Sequence, residues 1–143
     1  EWTDYNGHMN VAYYILIFDT AVEIMLNQFN MGGDSAKSDK RSTFTVESHI
    51  TYNQEVKLDE EVDVHLTFLD HDKKRILYKL SMTHKEKKYL AATIEVLSLY
   101  IDLSQRKVIE IEDDKIQIIK KFISKNKENF KKEDLRLLNK LKK

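Results

Sequence analysis

The segment from Asp4 to Asn10 (DYNGHMN) holds the residue types in this chain best suited to chemistry. Carboxylate and imidazole side chains, such as those of Asp4 and His8, can act as general bases or nucleophiles. Gly7 allows a close backbone approach or a positive φ angle. From these residues alone, the simpler interpretation of Asp4 is an Asx-turn aspartate that shapes the loop, and His8 fits a plain turn position equally well.

A long helix is predicted to follow this loop and to position it. Asn10 fits an N-cap, and apolar residues recur at helical spacing from Val11 to Phe29. Further apolar residues lie around the rest of this helix, so it should be buried on most sides. Backbone N–H groups from His8 to Val11 would attract negative charge at its amino terminus, or would simply be capped by Asn10.

Four later stretches are predicted to form β-strands, three of them because apolar residues alternate with a period of two. One predicted strand face carries Phe44, Val46, Ser48, Ile50 and Tyr52. The other stretches are residues 62–68, 76–82 and 89–101, and the last is apolar on both faces, which predicts a central strand. A sheet curled around one buried helix is an α+β arrangement.

Residues 1–110 are therefore predicted to form one domain, and residues 111–143 a lysine-rich helical extension. Two helices are expected in the extension, one carrying Ile116, Ile119 and Ile123, and another after Asn129 carrying Leu135, Leu138 and Leu141. The whole chain has no net charge, but residues 115–143 contain eleven Lys and Arg against three acidic residues. A basic segment thus follows an acidic body.

Composition excludes several classes of site. The chain has no cysteine, which rules out disulfides, thiolate metal sites and cysteine nucleophiles and fits a cytoplasmic enzyme. It lacks an apolar run of roughly 20 residues, so no transmembrane helix is expected. Its five histidines form no zinc-type motif, so no metal site is expected. Because the chain starts with Glu1 directly against the informative motif, we expect a preceding segment, such as a strand.

Residues 1–14 (EWTDYNGHMNVAYY) resemble the signature of the hotdog-fold thioesterases related to 4-hydroxybenzoyl-CoA thioesterase. The pattern is nearest to the betainyl-CoA thioesterases of bacterial carnitine catabolism. Further matches lie at 47–52 with Glu55, at 69–72 with Lys74 and Arg75, and at 91–92 with Glu95. The resemblance covers about residues 1–110. A glycine common before the second strand is Asp59 here, and the lysine-rich end has no counterpart in the pattern. A hotdog fold, a curved antiparallel sheet wrapped around one long helix, is implied.

The resemblance also implies a reaction, the hydrolysis of a small acyl-CoA to the free acid and CoA, with no cofactor. The aspartate of the D-x-x-G motif, Asp4 here, would act as general base or as nucleophile, and the sequence leaves both open. Gly7 and the N–H groups of residues 8–11 would serve the oxyanion. His8 and Asn10 would orient the substrate or Asp4.

Several side chains are predicted to contact the substrate, although each could instead have an ordinary structural or surface role. The aromatic residues Trp2, Tyr5, Tyr13 and Tyr14 usually mean core packing, but they could form a wall for the acyl group, and a betainyl cation would suit such a wall. Glu47 and His49 share a strand face that is either solvated or part of the pocket. Basic side chains for the phosphates of CoA are Arg41, Lys74 and Arg75, each of which could equally be a solvated surface charge.

We expect a homodimer at least, since hotdog domains pair through their sheets and form sites between subunits, and we expect neither nucleic acid nor a membrane as partner. The basic segment as a nucleic-acid arm is weakly supported because it is lysine-rich with few aromatics. Two alternatives stay open. The acyl group could be another short or aromatic one, or the chain could be a hotdog protein that binds an acyl thioester or a partner without turnover.

Overall fold

The computed structural model describes residues 2–143, so Glu1 of the opening motif lies outside the described residues. Helices and strands follow in the order α1 (Val11–Gln28), α2 (Gly33–Ser38), β1 (Arg41–Tyr52), β2 (Val62–His71), β3 (Arg75–His84), β4 (Leu90–Asp102), β5 (Lys107–Val108) and α3 (Asp113–Asn126). The long helix and the four long strands are confirmed. Within residues 2–143, no helix is both long and apolar enough to cross a membrane.

The strands form one antiparallel sheet in the order β1-β4-β3-β2, with β5 paired to β4. β4 lies between β1 and β3 and is buried along most of its length, as its apolar character on both faces predicts. The predicted α+β architecture, a curved antiparallel sheet packed against one long helix with a helical part at the end, is confirmed.

The main core fills the space between α1 and one face of the sheet. Tyr14, Phe18 and Leu26 of α1 meet strand residues such as Tyr78 and Val96, all nearly inaccessible to solvent. Complete burial of such side chains stabilises the fold by roughly 1.5–3 kcal/mol each. α3 adds the buried Ile119 and the ring of Phe122, which packs edge-on against Phe29 at 5.2 Å. Residues beyond position 110 thus contribute to the same core as the rest of the chain. The predicted domain boundary at residue 110 stays a prediction.

α1 is not buried on most sides, which corrects the sequence prediction for the single chain. Its solvent side exposes Val11, Ile15, Leu16 and Ile24, at 46–61% of their surface. The reason is that one sheet covers only one side of the helix. An exposed apolar face of this size commonly marks a contact surface. The predicted homodimer would account for it and stays a prediction.

A bulge in β1 overturns the predicted common face of Phe44 and Ile50. The register shifts between Thr45 and Glu47, so the alternation of side chains restarts there. Ile50 packs on the main core, whereas Phe44 stands on the outer face with Glu47 and is partly exposed. A second bulge, in β2 before Phe68, sends that ring to the outer face as well.

The outer face of the sheet is covered by residues 130–143, which we call the covering segment. Leu137 is buried there in an outer cluster with Phe68, Leu77 and Leu97. The predicted second α-helix is wrong, since only one 3₁₀ turn, Leu138–Lys140, forms in this segment. The backbone N–H groups of Arg136 and Leu137 donate to the Glu95 carboxylate instead of to helical carbonyls, both at 2.8 Å.

Candidate active site

Asp4 shapes a tight loop before α1. Its amide donates to the His8 carbonyl at 2.8 Å, and the Gly7 amide donates back to the Asp4 carbonyl at 3.0 Å. Gly7 has a φ of 75°, the left-handed region that glycine adopts without strain. One carboxylate oxygen, Oδ1, accepts the amides of Asn6 at 2.8 Å and His8 at 3.3 Å. The Asx-turn interpretation of Asp4 therefore describes the role of Oδ1.

The second oxygen of Asp4 leaves room for chemistry. Oδ2 accepts no hydrogen bond from residues 2–143, and Asp4 lines an open cavity of about 280 Å³. Its walls include His8, Val11, Tyr14 and Glu55. A carboxylate held by one oxygen and open at the other is oriented and still able to accept a proton or attack a carbonyl.

Of the predicted oxyanion donors at the start of α1, three are already used. The amides of His8, Met9 and Asn10 donate to other protein acceptors at 2.8–3.3 Å, and the Asn10 side chain caps the Ala12 amide at 3.0 Å. Val11, whose side chain is half exposed, lines the cavity beside Asp4. Its amide has no acceptor within residues 2–143, so it is the candidate donor.

Glu55 is the cavity residue to which the sequence analysis assigns no role. Its Oε2 lies 2.6 Å from Nε2 of His8, and its Oε1 lies 3.3 Å from the Lys57 ammonium. The imidazole of His8 therefore contacts Glu55, while only the His8 amide reaches Asp4. No local pattern could reveal this pair, because the partners are far apart in the chain and meet only when the loop docks on residues 55–57.

Tyr14 belongs both to the main core and to the cavity wall. Its hydroxyl accepts the Val56 amide at 3.2 Å, and its ring packs edge-on against Tyr52 at 5.3 Å. Burial raises the pKa of the Tyr14 phenol, and the hydrogen bond from Val56 offsets only part of that effect. The hydroxyl therefore stays neutral at ordinary pH and can serve as a polar edge of the cavity.

The other predicted aromatic contacts lie elsewhere. Trp2 stacks on Tyr13 with ring centroids 4.7 Å apart, which anchors the loop on α1. Tyr5 is 98% exposed. Within one chain, only Tyr14 of the four predicted aromatics lines the cavity beside Asp4. A substrate role for Trp2, Tyr5 and Tyr13 stays a prediction that one chain's geometry does not support.

Glu47 and His49 stand on the outer face of the sheet, away from the Asp4 cavity. Glu47 lies 3.6 Å from the Lys140 ammonium of the covering segment, and His49 lines a separate polar cavity with Glu95 and Arg136. The structure does not bring either residue to Asp4 within one chain. Their predicted role in substrate binding stays a prediction.

The three predicted CoA contacts differ in availability. Arg41 is bound to Asp102 at 2.8 Å and to Glu112 at 3.2 Å. Arg75 is bound to Asp72 at 2.9 Å. Lys74 at the β2–β3 turn is exposed, which leaves its ammonium accessible to a phosphate.

Asp72 explains why Arg75 is held in place. Burial by itself would raise the pKa of Asp72, but hydrogen bonds from the Lys142, Lys74 and Arg75 amides and from the Arg75 guanidinium outweigh it and lower the pKa. Because Arg75 is paired with this buried, charged carboxylate, its guanidinium is less available to a phosphate than the Lys74 ammonium.

Within residues 2–143, no three His, Cys, Asp or Glu side chains gather as a metal site would need.

Residues 1–123 match the model of the thioesterase-like superfamily. The chain belongs to this family. A betainyl-CoA thioesterase of Pseudomonas aeruginosa is 36% identical over 76 residues, which are 53% of this chain and 48% of that protein. An L-carnitine dehydrogenase/betainyl-CoA thioesterase of Agrobacterium fabrum is 28% identical over 108 residues, 76% of this chain and 22% of that protein. The chain thus spans about half or less of the length of these curated relatives.

Solved structures agree with the family assignment. A Staphylococcus aureus protein, solved in complex with CoA, superposes with a TM-score of 0.80 and 26% identity, covering 94% of this chain and 82% of that one. The predicted resemblance to the hotdog thioesterases is confirmed, and so is the hotdog fold.

Proposed function

We propose that this protein is an acyl-CoA thioesterase and that Asp4 is its catalytic carboxylate. The observation that carries the proposal is the state of Asp4, which lines a cavity at the amino terminus of α1, with one oxygen held by the loop amides and the other without a hydrogen-bond partner in residues 2–143. Family membership supports the reaction class. The CoA complex of the S. aureus neighbour supports a CoA thioester as the substrate.

In this mechanism the thioester carbonyl lies beside Asp4 and its oxygen accepts the Val11 amide. Asp4 takes a proton from water, the oxygen of that water adds to the carbonyl carbon, and the tetrahedral intermediate expels the CoA sulfur, which receives the proton. Alternatively, the Asp4 carboxylate attacks the carbonyl carbon and the C–S bond breaks, which releases the CoA thiolate. Water then hydrolyses the mixed anhydride, regenerates the Asp4 carboxylate and supplies the proton that the thiolate takes up. Both routes consume one water and give the acid and CoA without a cofactor or metal. The first acyl group to test is betainyl, because the curated relatives hydrolyse that thioester by name.

CoA release, followed with a thiol reagent, tests the proposal across betainyl-, acetyl-, longer aliphatic and 4-hydroxybenzoyl-CoA. We expect turnover of at least one thioester by the protein, and a loss of roughly a hundredfold or more in Asp4→Ala. Asp39→Asn, an exposed aspartate outside the cavity, is the matched control. A well-folded protein that binds these thioesters without releasing CoA would contradict the proposal and favour a binding module.

A further inference from the structure

The cavity beside Asp4 has an aromatic and acidic wall. Part of this wall comes from residues 52–55, which are far from Asp4 in the sequence. Tyr14 and Tyr52 meet edge to face in this wall, and Tyr52 keeps 46% of its surface exposed. Glu55 stands next to them as the second carboxylate of the cavity. Of the predicted aromatic wall of Trp2, Tyr5, Tyr13 and Tyr14, only Tyr14 lines this cavity within one chain, and Tyr52 at the end of β1 adds the second ring.

The backbone around Glu55 is fixed from three directions. The Tyr89 hydroxyl donates to the Glu55 carbonyl at 2.7 Å, and the neighbouring Val56 donates its amide to the Tyr14 hydroxyl. The Val56 carbonyl accepts the Met9 amide at 2.8 Å. These bonds join the β1–β2 connection to the Asp4 loop and to α1, so the backbone at Glu55 has a defined place beside the Asp4 loop.

The charges of the wall favour a cation. Asp4 and Glu55 are the carboxylates that line the cavity, and His8 is the one basic side chain among its lining residues in the described chain. Lys57 approaches Glu55 at 3.3 Å, but it is 61% exposed and lies outside the lining, so its pairing in water is weak. The His8–Glu55 contact of 2.6 Å occupies one Glu55 oxygen and keeps the carboxylate oriented.

We infer that Tyr52 and Glu55 are specificity-determining residues that select an acyl group carrying a positive charge, such as a quaternary ammonium. This inference rests on the proposed thioesterase function. A quaternary ammonium donates no hydrogen bond, so it is recognised by the face of an aromatic ring and by nearby negative charge. The cavity, at about 280 Å³, suits the acyl end of a CoA thioester better than a large ligand.

A neutral isostere separates charge recognition from shape. Betainyl-CoA carries a trimethylammonium where 3,3-dimethylbutanoyl-CoA carries a tert-butyl group of almost the same size. The quantity to measure is the ratio of kcat/KM for the charged thioester to kcat/KM for the neutral one. A residue that only supports the fold would change both values together and leave the ratio intact.

We expect the protein to prefer the charged thioester, and we expect Glu55→Gln and Tyr52→Leu each to lower the ratio by about 3- to 30-fold, the range of a cation–π or short-range charge contact. Glu55→Gln is isosteric and keeps an acceptor for His8, so turnover of the neutral thioester reports that the site is intact. Two controls should leave the ratio unchanged. They are Glu61→Gln, an exposed acid of the same connection, and Phe44→Leu, an exposed ring on the outer face of the same strand.

Three results would overturn the inference. Equal loss for both thioesters in both variants would reduce Tyr52 and Glu55 to structural residues. A preference of the protein for the neutral thioester would refute charge selection and leave the thioesterase proposal standing. No hydrolysis of either thioester or of the wider panel would instead remove the proposed function on which the inference rests.

Discussion

Asp4 and Glu95 are carboxylates on opposite sides of the sheet, and backbone amides bind them differently. Asp4 lines the cavity, uses one oxygen for the loop amides and has no hydrogen-bond partner for the other within residues 2–143. Glu95 is 1% exposed, and each of its oxygens accepts an amide of the covering segment at 2.8 Å. Full satisfaction is what a buried charge needs for stability, whereas an open oxygen is what a reaction needs. Under the proposed function, the outer face therefore serves stability and the Asp4 loop serves turnover.

The largest effect on stability is expected from Leu137→Ala. This side chain is buried against Phe68, Leu77 and Leu97, so its loss leaves a cavity under the covering segment. The free energy of unfolding should fall by about 2–4 kcal/mol, while kcat of the remaining folded protein stays close to wild type. Urea unfolding and CoA release measure the two quantities. Leu58→Ala, 66% exposed, is the control and should change stability little. A large loss of kcat without a loss of stability would contradict the assignment of separate roles to the outer face and the Asp4 loop.

A smaller effect is expected from Glu95→Gln. The amide nitrogen of glutamine cannot accept, so either Arg136 or Leu137 loses the acceptor for its N–H group. Such a loss at a buried donor costs about 1–3 kcal/mol. Glu47→Gln, on the same face but exposed, should change the unfolding free energy by less than about 0.5 kcal/mol. Equal stability of the two variants in urea would show that Glu95 does not hold the covering segment.

The smallest effect is expected for the pH dependence of the unfolding free energy that arises from Glu60. This half-buried residue is more exposed than Glu95. Its hydrogen bond with the Lys87 ammonium, aided by the Lys57 amide, lowers the pKa of Glu60 from 4.5 to about 2. Because the folded-state pKa is depressed, this stabilisation is complete above pH 4.5 and is lost as the pH falls toward 2. Urea unfolding between these pH values should show a flatter dependence for Glu60→Gln than for wild type. Parallel curves for the two proteins would exclude this contribution.

Much of the fold could be predicted from hydrophobic periodicity. The bounds of α1 and the order of four strands follow from spacing, because both elements keep a regular period over many residues. Face assignments fail where the period is interrupted, as at the bulge that places Phe44 outside. The missing helix near Leu138 has the same kind of cause, since Glu95 competes for the amides that a helix would use. Neither a bulge nor a long-range acceptor is visible in a local pattern.

Only the part of the candidate site that lies in one short stretch of sequence could be predicted. Asp4, Gly7 and Asn10 lie in one short segment, and the structure finds them forming one loop and its cap. Tyr52 at the end of β1 and Glu55 in the β1–β2 connection reach the same cavity, which depends on tertiary docking. The four aromatics near the amino terminus are close in sequence, yet only Tyr14 lines the cavity, while Trp2 and Tyr13 stack on each other. Proximity in the chain therefore predicts the loop but not the wall of the cavity.

The central claim is that the open oxygen of Asp4 performs the reaction, and Asp4→Asn tests it most directly. Asparagine keeps an oxygen that accepts the Asn6 and His8 amides, so the loop and the unfolding free energy should be retained. The account predicts a fall in kcat of roughly a hundredfold or more on the best thioester, with an unchanged urea midpoint. Turnover close to wild type in folded Asp4→Asn would contradict it and reduce Asp4 to a residue that only shapes the loop.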